Sequence, residues 1–296
     1  MTKKCGTIAI VGRPNVGKST LINHILSNKI SITSRRPQTT RHQVQGILTK
    51  EDTQFVFLDT PGIHHGRGKA LNRYMNKAAI ASLEGVDVVI FVVEALKWTD
   101  DDTRVLKLVE KVKAPVILCV NKVDSLKNRP QLMPFLAECQ KKLNFDEIFP
   151  LCARRTSHVE QLVEMISKRL PESPWLYDAE TITDRGMGFR ITELVREKVM
   201  RVVGEELPYE TTVTLEKCDL EAKCASIQAV IWVEREGQKP ILIGEKGRRM
   251  KLIGEQARGD LEKLLQQKVF LQLWVKVKSG WSDDESVLSV LGYDDA

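Results

Sequence analysis

Residues 12–19 read GRPNVGKS. The spacing Gly12-x4-Gly17-Lys18-Ser19 follows the short apolar run TIAIVG (7–12), and a helix is expected from Lys18. A glycine-rich turn between a strand and a helix is the context a phosphate-binding loop requires. Glycines let the backbone wrap close to the phosphates. Amide N–H groups point inward, and the helix N-terminus adds partial positive charge. In such a loop Lys18 reaches the β- and γ-oxygens and the Ser19 hydroxyl binds Mg²⁺. Arg13, Pro14, Asn15, Val16 and Thr20 complete the same cradle.

The pattern on either side of this loop predicts the sheet that carries it. VQGILTK (44–50) and TQFVFLDT (53–60) read as a strand pair across Glu51-Asp52. VDVVIFVVEA (86–95) and APVILCVN (114–121) are continuous apolar runs, as strands buried on both faces should be. Helical segments separate them. The fold class is α/β: a mostly parallel sheet with helices on both faces, followed by an α+β domain described below.

Four further motifs specify the ligand. Asp59-Thr60-Pro61-Gly62 ends a strand; Asp59 can hold a Mg²⁺-bound water, and the Gly62 amide, with Ile63 beside it, can touch the γ-phosphate. Asn121-Lys122-Val123-Asp124 follows the APVILCV strand. Its Asp124 carboxylate can accept from the ring N1–H and exocyclic amine of guanine together. Adenine offers no such donor pair and would leave the carboxylate unpaired. The Lys122 stem can pack on the base, and Asn121 can tie the segment to the phosphate loop. Thr40, in SITSRRPQTTRHQ (31–43), is favoured over Thr39 to complete the Mg²⁺ shell. Leu151-Cys152-Ala153 follows the strand FDEIFP, and the Ala153 amide is expected on the guanine carbonyl. Together the motifs resemble the translation-factor-like GTPases. They specify GTP or GDP, Mg²⁺ and phosphoryl transfer to water.

Many such enzymes orient water with a glutamine directly after the DxxG glycine. Here that residue is Ile63, which has no polar atom. Two routes stay open. Asn15 can help hold a K⁺ ion beside the phosphates, doing the work of an arginine finger. Alternatively, His64 or His65 contacts the water. Either route implies slow intrinsic turnover.

The second half has another order: a helix over ITELVREKVMRVV (191–203), strands at TTVTLE (211–216) and ASIQAVIWVERE (225–236), a short helical turn, GEKG, a helix, and the strand VFLQLWVKVK (269–278). Ile227, Ala229, Ile231 and Val233 point one way, as do Val269, Leu271, Leu273, Val275 and Val277. Met250, Ile253, Ala257, Leu261 and Leu264 recur at helical spacing. A GxxG among 18 glycines carries little weight by itself. Strand, strand, helix, GxxG, helix, strand is the plan of a type II KH domain, whose loop clamps about four backbone nucleotides of single-stranded RNA. Gly244 and Gly247 allow close backbone approach, flanking Glu245 and Lys246. Lys246, Arg248, Arg249 and Lys251 supply charge, and Ile241, Ile243 and Ile253 line an apolar groove for bases.

The charge distribution agrees with a local patch. Residues 1–185 carry net +8 and residues 186–296 net −2, yet residues 240–280 hold nine Lys+Arg against four Asp+Glu. With 42% hydrophobic and 28% charged residues the chain reads as globular. No apolar run approaches the ~18 residues of a membrane span. The opening MTKKCGTIAIVGRPN runs straight into structure, so a cytoplasmic site is expected. Six cysteines without a Cys-x-x-Cys pair read as reduced thiols. The expected organisation is a GTPase domain over 1–172, a linker over 173–185 (WLYDAETITDR within it) and an RNA-binding domain over 186–296, with its KH core near 205–280.

The chain as a whole resembles the Era family of bacterial ribosome-assembly GTPases. The resemblance rests on GRPNVGKST, QTTRHQVQGI, DTPGIH, NKVD, REKVMR, GEELPY, GEKGRRMKLIG and the terminal VLGY. Cys152, where GTPases more often have serine, and Arg185-Gly-Met-Gly-Phe189, where the family is more polar, depart from it. The resemblance implies binding of the 3′ end of small-subunit rRNA through the KH domain and assistance to small-ribosomal-subunit maturation. It also implies peripheral contact with the inner face of the cytoplasmic membrane. A monomer is expected. Two rival readings are an RNA-binding assembly factor that holds GTP structurally, and a membrane-associated signalling GTPase.

Overall fold

The computed structural model describes residues 2–34, 36, 39–62, 69–203, 207 and 210–293. Ile63, His64 and His65 lie outside the described residues, as does all of GEELPY except Leu207. The chain folds as two compact units. One comprises Met1–Thr33, Thr40–Arg67 and Met75–Asp184; the other comprises Ser34–Thr39, Gly68–Tyr74 and Arg185–Ala296.

The first unit is built on a six-stranded sheet in the order β2-β3-β1-β4-β5-β6. The strands are β1 (Lys4–Val11), β2 (Val44–Lys50), β3 (Thr53–Asp59), β4 (Val88–Glu94), β5 (Val116–Asn121) and β6 (Glu147–Pro150). Only β2 runs antiparallel, paired to β3 from Lys50↔Thr53 to Val44↔Asp59. Its helices are α1 (Lys18–Ile25), α3 (Asp100–Val109), α4 (Leu132–Gln140) and α5 (Thr156–Ser167), together with α2 (Ala70–Ala81) from Met75 onward. Val88 through Val93 are all fully buried, the signature of a central strand covered on both faces. The C-terminal ends of β1, β3 and β5 present the phosphate loop, DTPG and NKVD at one edge of the parallel sheet, where ligands bind in open α/β folds.

WLYDAETITDR does not behave as a free linker. Gln54, fully buried on β3, accepts from the amides of Leu176 and Tyr177, each at 2.9 Å, and donates to the Tyr177 carbonyl at 2.8 Å. Ile47 N–H donates to the Ile182 carbonyl at 3.0 Å, and Gln45 N–H to Asp184 Oδ1 at 2.9 Å. As far as Asp184 the segment lies along β2 as part of the first unit.

The second unit has α6 (Met187–Val202), β7 (Thr211–Asp219), β8 (Cys224–Val233), α7 (Gln238–Ile243), α8 (Arg248–Leu265), β9 (Lys268–Val277) and α9 (Glu285–Val290). Its sheet is β7-β8-β9, with β7 and β8 antiparallel and β8 and β9 parallel. The register shifts between Leu215 and Lys217. The alternation expected on β8 and β9 is present: Ile227, Ala229, Ile231, Val233 and Val269 join the core with Ile253, Ala257 and Leu261 of α8 and Ile191, Val195 and Val199 of α6. Helix α6 begins at Met187, four residues before the apolar periodicity does, because Gly186 occupies its N-cap and Gly188 packs where a Cβ would lie 3.4 Å from Leu215. Trp281, fully buried, stacks on Tyr293, whose hydroxyl lies 3.0 Å from that of Thr212 near the start of β7.

Candidate functional site

The phosphate loop adopts the backbone its glycines allow. Gly12 has φ 152°, Gly17 φ 106° and Asn15 φ 63°. A Cβ at Gly12 would meet the Val92 carbonyl oxygen at 2.4 Å, and one at Gly17 would meet Asn121 Nδ2 at 2.3 Å. Lys18 turns back into the loop. Its Nζ donates to the Gly12 carbonyl at 2.9 Å and to the Arg13 carbonyl at 3.1 Å. Val16 is fully buried beneath it. Thr20 continues α1, and Thr60 Oγ1 donates to the Ile10 carbonyl at 2.9 Å. Pro14 lies against Gly62, where a Cβ would approach its ring at 2.9 Å, so Pro61-Gly62 sits beside the loop.

Burial lowers the Lys18 ammonium from 10.5 to about 8, partly offset by Asp59. The sign follows directly. Between about 8 and 10.5 the unfolded chain holds more of this proton than the folded one, so this group's contribution to stability rises with pH across that window. Bound phosphate reverses the balance by stabilising the charged form. Nucleotide binding at pH 8.5 is therefore expected to take up roughly three-quarters of a proton. Calorimetry in buffers of different ionisation enthalpy measures this, and zero uptake would contradict the assignment.

Ser19, Thr40 and Asp59 converge. Ser19 Oγ lies 2.9 Å from Thr40 Oγ1 and donates to Asp59 Oδ2 at 3.1 Å. Asp59 is fully buried, and its Oδ1 meets no hydrogen-bond partner in good geometry. Burial pushes its carboxyl above the ordinary range, against the pull of Ser31, Lys18, Ser19 and Thr40. Two hydroxyls and a carboxylate that gains from a nearby cation form an all-oxygen donor set, which fits Mg²⁺.

At the end of β5, Asn121 is 3% exposed and joins three segments. Its Nδ2 donates to the Val16 carbonyl at 2.7 Å. Its Oδ1 accepts from the Lys122 amide at 2.8 Å and the Ala153 amide at 3.0 Å. The Ala153 amide, expected on a guanine carbonyl, is thus engaged by Asn121. The neighbouring Cys152 amide donates to His158 Nδ1 at 2.9 Å. Burial first, then the Asp124 carboxylate beside it, raises the Cys152 thiol. Asp124 and Cys152 therefore share one corner, with Asp124 exposed and Val123 half-buried.

Arg13 does something its motif position did not announce. Its side chain, 8% exposed, leaves the loop to pair with Glu94 at 2.9 Å and Asp102 at 3.1 Å. Lys122 Nζ reaches the same Glu94 at 3.2 Å. Glu94 thus braces the phosphate loop against the NKVD segment. Asp102 is held in turn by a capping box with Thr99 at the start of α3, a pattern legible as Thr99-x-x-Asp102.

In the second unit, Gly244 (φ 74°), Lys246 (φ 51°) and Gly247 (φ 76°) form the GxxG turn between α7 and α8. A Cβ at Gly247 would point into open space, so its backbone faces outward. At Gly244 a Cβ would strike Arg249 at 2.7 Å. Arg249 Nη1 donates to the Ile241 carbonyl at 2.7 Å, closing the turn. Glu245, Arg248 and Arg249 are exposed, and Lys251 has an 80% exposed side chain. Ile241 is 40% exposed and Ile243 half-buried, but Ile253 is fully enclosed in the core. Ile253, expected to line a groove for bases, is a core residue and offers no surface to a base.

Residues 7–122 match the family described as "50S ribosome-binding GTPase", and residues 206–282 match "KH domain". GTPase Era of Pseudomonas fluorescens is 54% identical over 99% of this chain and 97% of its own length. GTPase Era of Pseudomonas aeruginosa is 52% identical over 99% of this chain and 96% of its own length. Among solved structures, Era in complex with MgGDPNP and nucleotides 1506–1542 of 16S ribosomal RNA superposes with a TM-score of 0.95 at 37% identity, covering 99% of this chain and 100% of that one. A variant of Aquifex aeolicus Era bound to GDP and AlF4⁻ gives 0.94 at 37% identity, with the same coverage of both chains. Identity of this extent over nearly the full length of both chains, together with the phosphate loop and the GxxG unit in their expected places, shows that the chain belongs to the Era family of GTPases.

Proposed function

We propose that the protein is a GTP-gated binder of single-stranded RNA, acting at the 3′ end of small-subunit rRNA during assembly of the small ribosomal subunit. The observation that carries the reading is the convergence of Ser19, Thr40 and Asp59. A threonine from the loop before β2 sits within reach of the phosphate-loop hydroxyl, so that loop can sense the third phosphate. The GxxG turn with its outward backbone supplies the second phosphate site.

In this reading Ser19, Thr40 and Asp59 hold Mg²⁺, which when bound neutralises developing phosphate charge. Lys18 exchanges the Gly12 and Arg13 carbonyls for the β- and γ-oxygens. Asn121 fixes the base pocket and Asp124 reads guanine. Gly244, Lys246 and Gly247 admit an RNA backbone, with Arg248 and Lys251 neutralising phosphates. The protein works as a monomer in the cytoplasm, with peripheral contact to the inner membrane as a further setting.

Hydrolysis is read as cation-assisted through Asn15, whose φ of 63° turns the loop at that point. Turnover in K⁺ is then expected to exceed that in Na⁺ at equal ionic strength by tenfold or more. Equal rates remove the ion and leave His64 or His65.

Gating is tested by equilibrium binding of a labelled small-subunit 3′-end RNA at one fixed salt concentration. The states compared are a non-hydrolysable GTP analogue, GDP and no nucleotide. A coupling of about 1–3 kcal/mol predicts at least several-fold tighter binding with the analogue. Three equal affinities would mean that hydrolysis times something other than RNA affinity. Gly247→Asp is expected to abolish RNA binding with nucleotide affinity intact. Retained RNA binding in that variant would move the RNA site elsewhere.

A further inference from the structure

The carboxylate of Glu94 carries two cations on one oxygen. Arg13 Nη2 lies 2.9 Å and Lys122 Nζ 3.2 Å from Glu94 Oε2. One cation comes from the phosphate loop and the other from NKVD. The sheet sets their meeting point. Glu94 ends β4 in register with Asn121, the last residue of β5, and the Ala95 amide donates to the Asn121 carbonyl at 2.9 Å. Burial opposes ionisation of Glu94, but Arg13 and Lys122 outweigh it and hold the carboxyl below the ordinary range. Glu94 is therefore charged at neutral pH.

The two cations do not depend on Glu94 equally. Arg13 has a second carboxylate. Its Nε donates to Asp102 Oδ2 at 3.1 Å. Asp102 is fully buried, and the same oxygen accepts from the Thr99 amide at 2.9 Å and the Thr99 hydroxyl at 2.8 Å. Without Glu94, Arg13 stays tethered to the start of α3. Lys122 has no such reserve. Among the described residues, Glu94 is the carboxylate that meets its ammonium.

The backbone end of Lys122 is already pinned. Its φ is 66°, its amide donates to Asn121 Oδ1 at 2.8 Å, and its carbonyl accepts from Ser125 Oγ at 2.7 Å. With the Cα fixed at one end and the ammonium at the other, the flexible stem between them is left few paths. Its side chain is 37% exposed, so an unanchored stem would sample many rotamers in water. Ordering such a stem at the moment a nucleotide binds would cost affinity.

We infer that Glu94 is a positioning residue for the nucleotide base: it anchors the Lys122 ammonium so that the stem lies ready against the purine plane, and it thereby slows nucleotide release. This rests on the reading that the Lys122 stem packs on the base, and the experiment separates the two. Asp124 reads the guanine edge in that reading. The anchor therefore acts on stacking and leaves the choice between bases alone.

Release of a fluorescent GDP derivative from the full-length protein, chased with excess GDP, is followed by stopped flow. Equilibrium affinities are measured for GDP and for inosine diphosphate, which lacks the exocyclic amine. Glu94→Gln is expected to release GDP about fivefold faster, the order of what ordering one long side chain costs, with association nearly unchanged. Both diphosphates should lose the same factor, so their affinity ratio stays constant. Single-turnover hydrolysis of bound GTP should stay within about twofold, because Arg13 remains on Asp102. A merely structural role for Glu94 would not single out release in this way. Lys122→Met keeps an apolar stem and lacks the charge, so it should match Glu94→Gln. In the Lys122→Met background, Glu94→Gln should add less than about twofold.

An undiminished Glu94→Gln effect in the Lys122→Met background overturns the inference, because Glu94 would then act through Arg13 and the phosphate loop. Unchanged release in Glu94→Gln overturns it too, as does a loss of bound-GTP hydrolysis as large as the gain in release. Lys122→Ala removes the stem and is expected to weaken GDP more than Lys122→Met does. Unchanged GDP affinity in Lys122→Ala would sink the base-packing reading itself, whereas a loss seen in Lys122→Ala alone would sink only the anchor. Should Glu94→Gln not fold, Lys122→Met decides the matter. Faster release with hydrolysis intact supports the anchor, and release at the unmodified rate refutes it.

Discussion

Lys18→Ala is expected to lower GTP turnover by at least about a thousandfold while leaving the protein folded. The two halves of that expectation have different causes. Stabilisation of the transferring phosphoryl by a single well-placed cation is worth on the order of 10³ or more. Lys18 Nζ is the cation of the loop itself, held by the Gly12 and Arg13 carbonyls. Folding gains little from it. The fall from 10.5 to about 8 corresponds to about 3 kcal/mol spent on keeping a buried ammonium charged. Truncation removes that cost and frees two carbonyls, each about 1–3 kcal/mol when left without a donor. The opposing contributions nearly cancel, so the melting temperature at pH 7 should move by only a few degrees. Lys18→Arg should fail as well, because a planar fork cannot occupy a site shaped for a point donor between two adjacent carbonyls. Phosphate release under single-turnover conditions measures the effect. Turnover within tenfold of the unmodified protein would show that the charge comes from elsewhere.

The parts of this site that were legible in the sequence are those where spacing itself is the mechanism. Gly12, Gly17, Lys18 and Ser19 stand at fixed offsets because a loop must turn, approach phosphate and open a helix in eight residues. β4 was legible because a strand buried on both faces must be apolar throughout. What stayed hidden is long-range and polar. Arg13 pairs with residues 81 and 89 positions away, and no local pattern announces a partner at that distance. Gln54 meets Leu176 and Tyr177 across more than a hundred residues, so a segment that reads as linker is tied to a strand. Ile253 shows the limit of periodicity. Helical spacing marks a residue as apolar-facing but cannot divide one apolar stripe between core and groove, and the core took it.

Asn121→Ala is expected to weaken nucleotide binding by a hundredfold or more without touching any atom that contacts phosphate. Its amide satisfies the Val16 carbonyl, the Lys122 amide and the Ala153 amide at once. Removing it leaves one buried acceptor and two donors without partners, each costing about 1–3 kcal/mol. One effect runs the other way: the freed Ala153 amide could turn to a guanine carbonyl. That gain is a single hydrogen bond, worth about 1 kcal/mol net. It is outweighed by the loss of register between the phosphate loop, NKVD and the Cys152-Ala153 segment. The same side chain explains why Gly17 must be glycine on steric as well as dihedral grounds, since a Cβ there would lie 2.3 Å from Asn121 Nδ2. The two positions should therefore be coupled. Gly17→Ala alone meets both the amide and its own positive φ of 106°, whereas in the Asn121→Ala background only the backbone strain remains. A double-mutant cycle on GTP affinity is expected to show the combined loss smaller than the sum of the single losses by at least about 1 kcal/mol. Strict additivity would mean that Asn121 does not couple the phosphate loop to the NKVD segment, leaving Glu94, through Arg13 and Lys122, as the link between them.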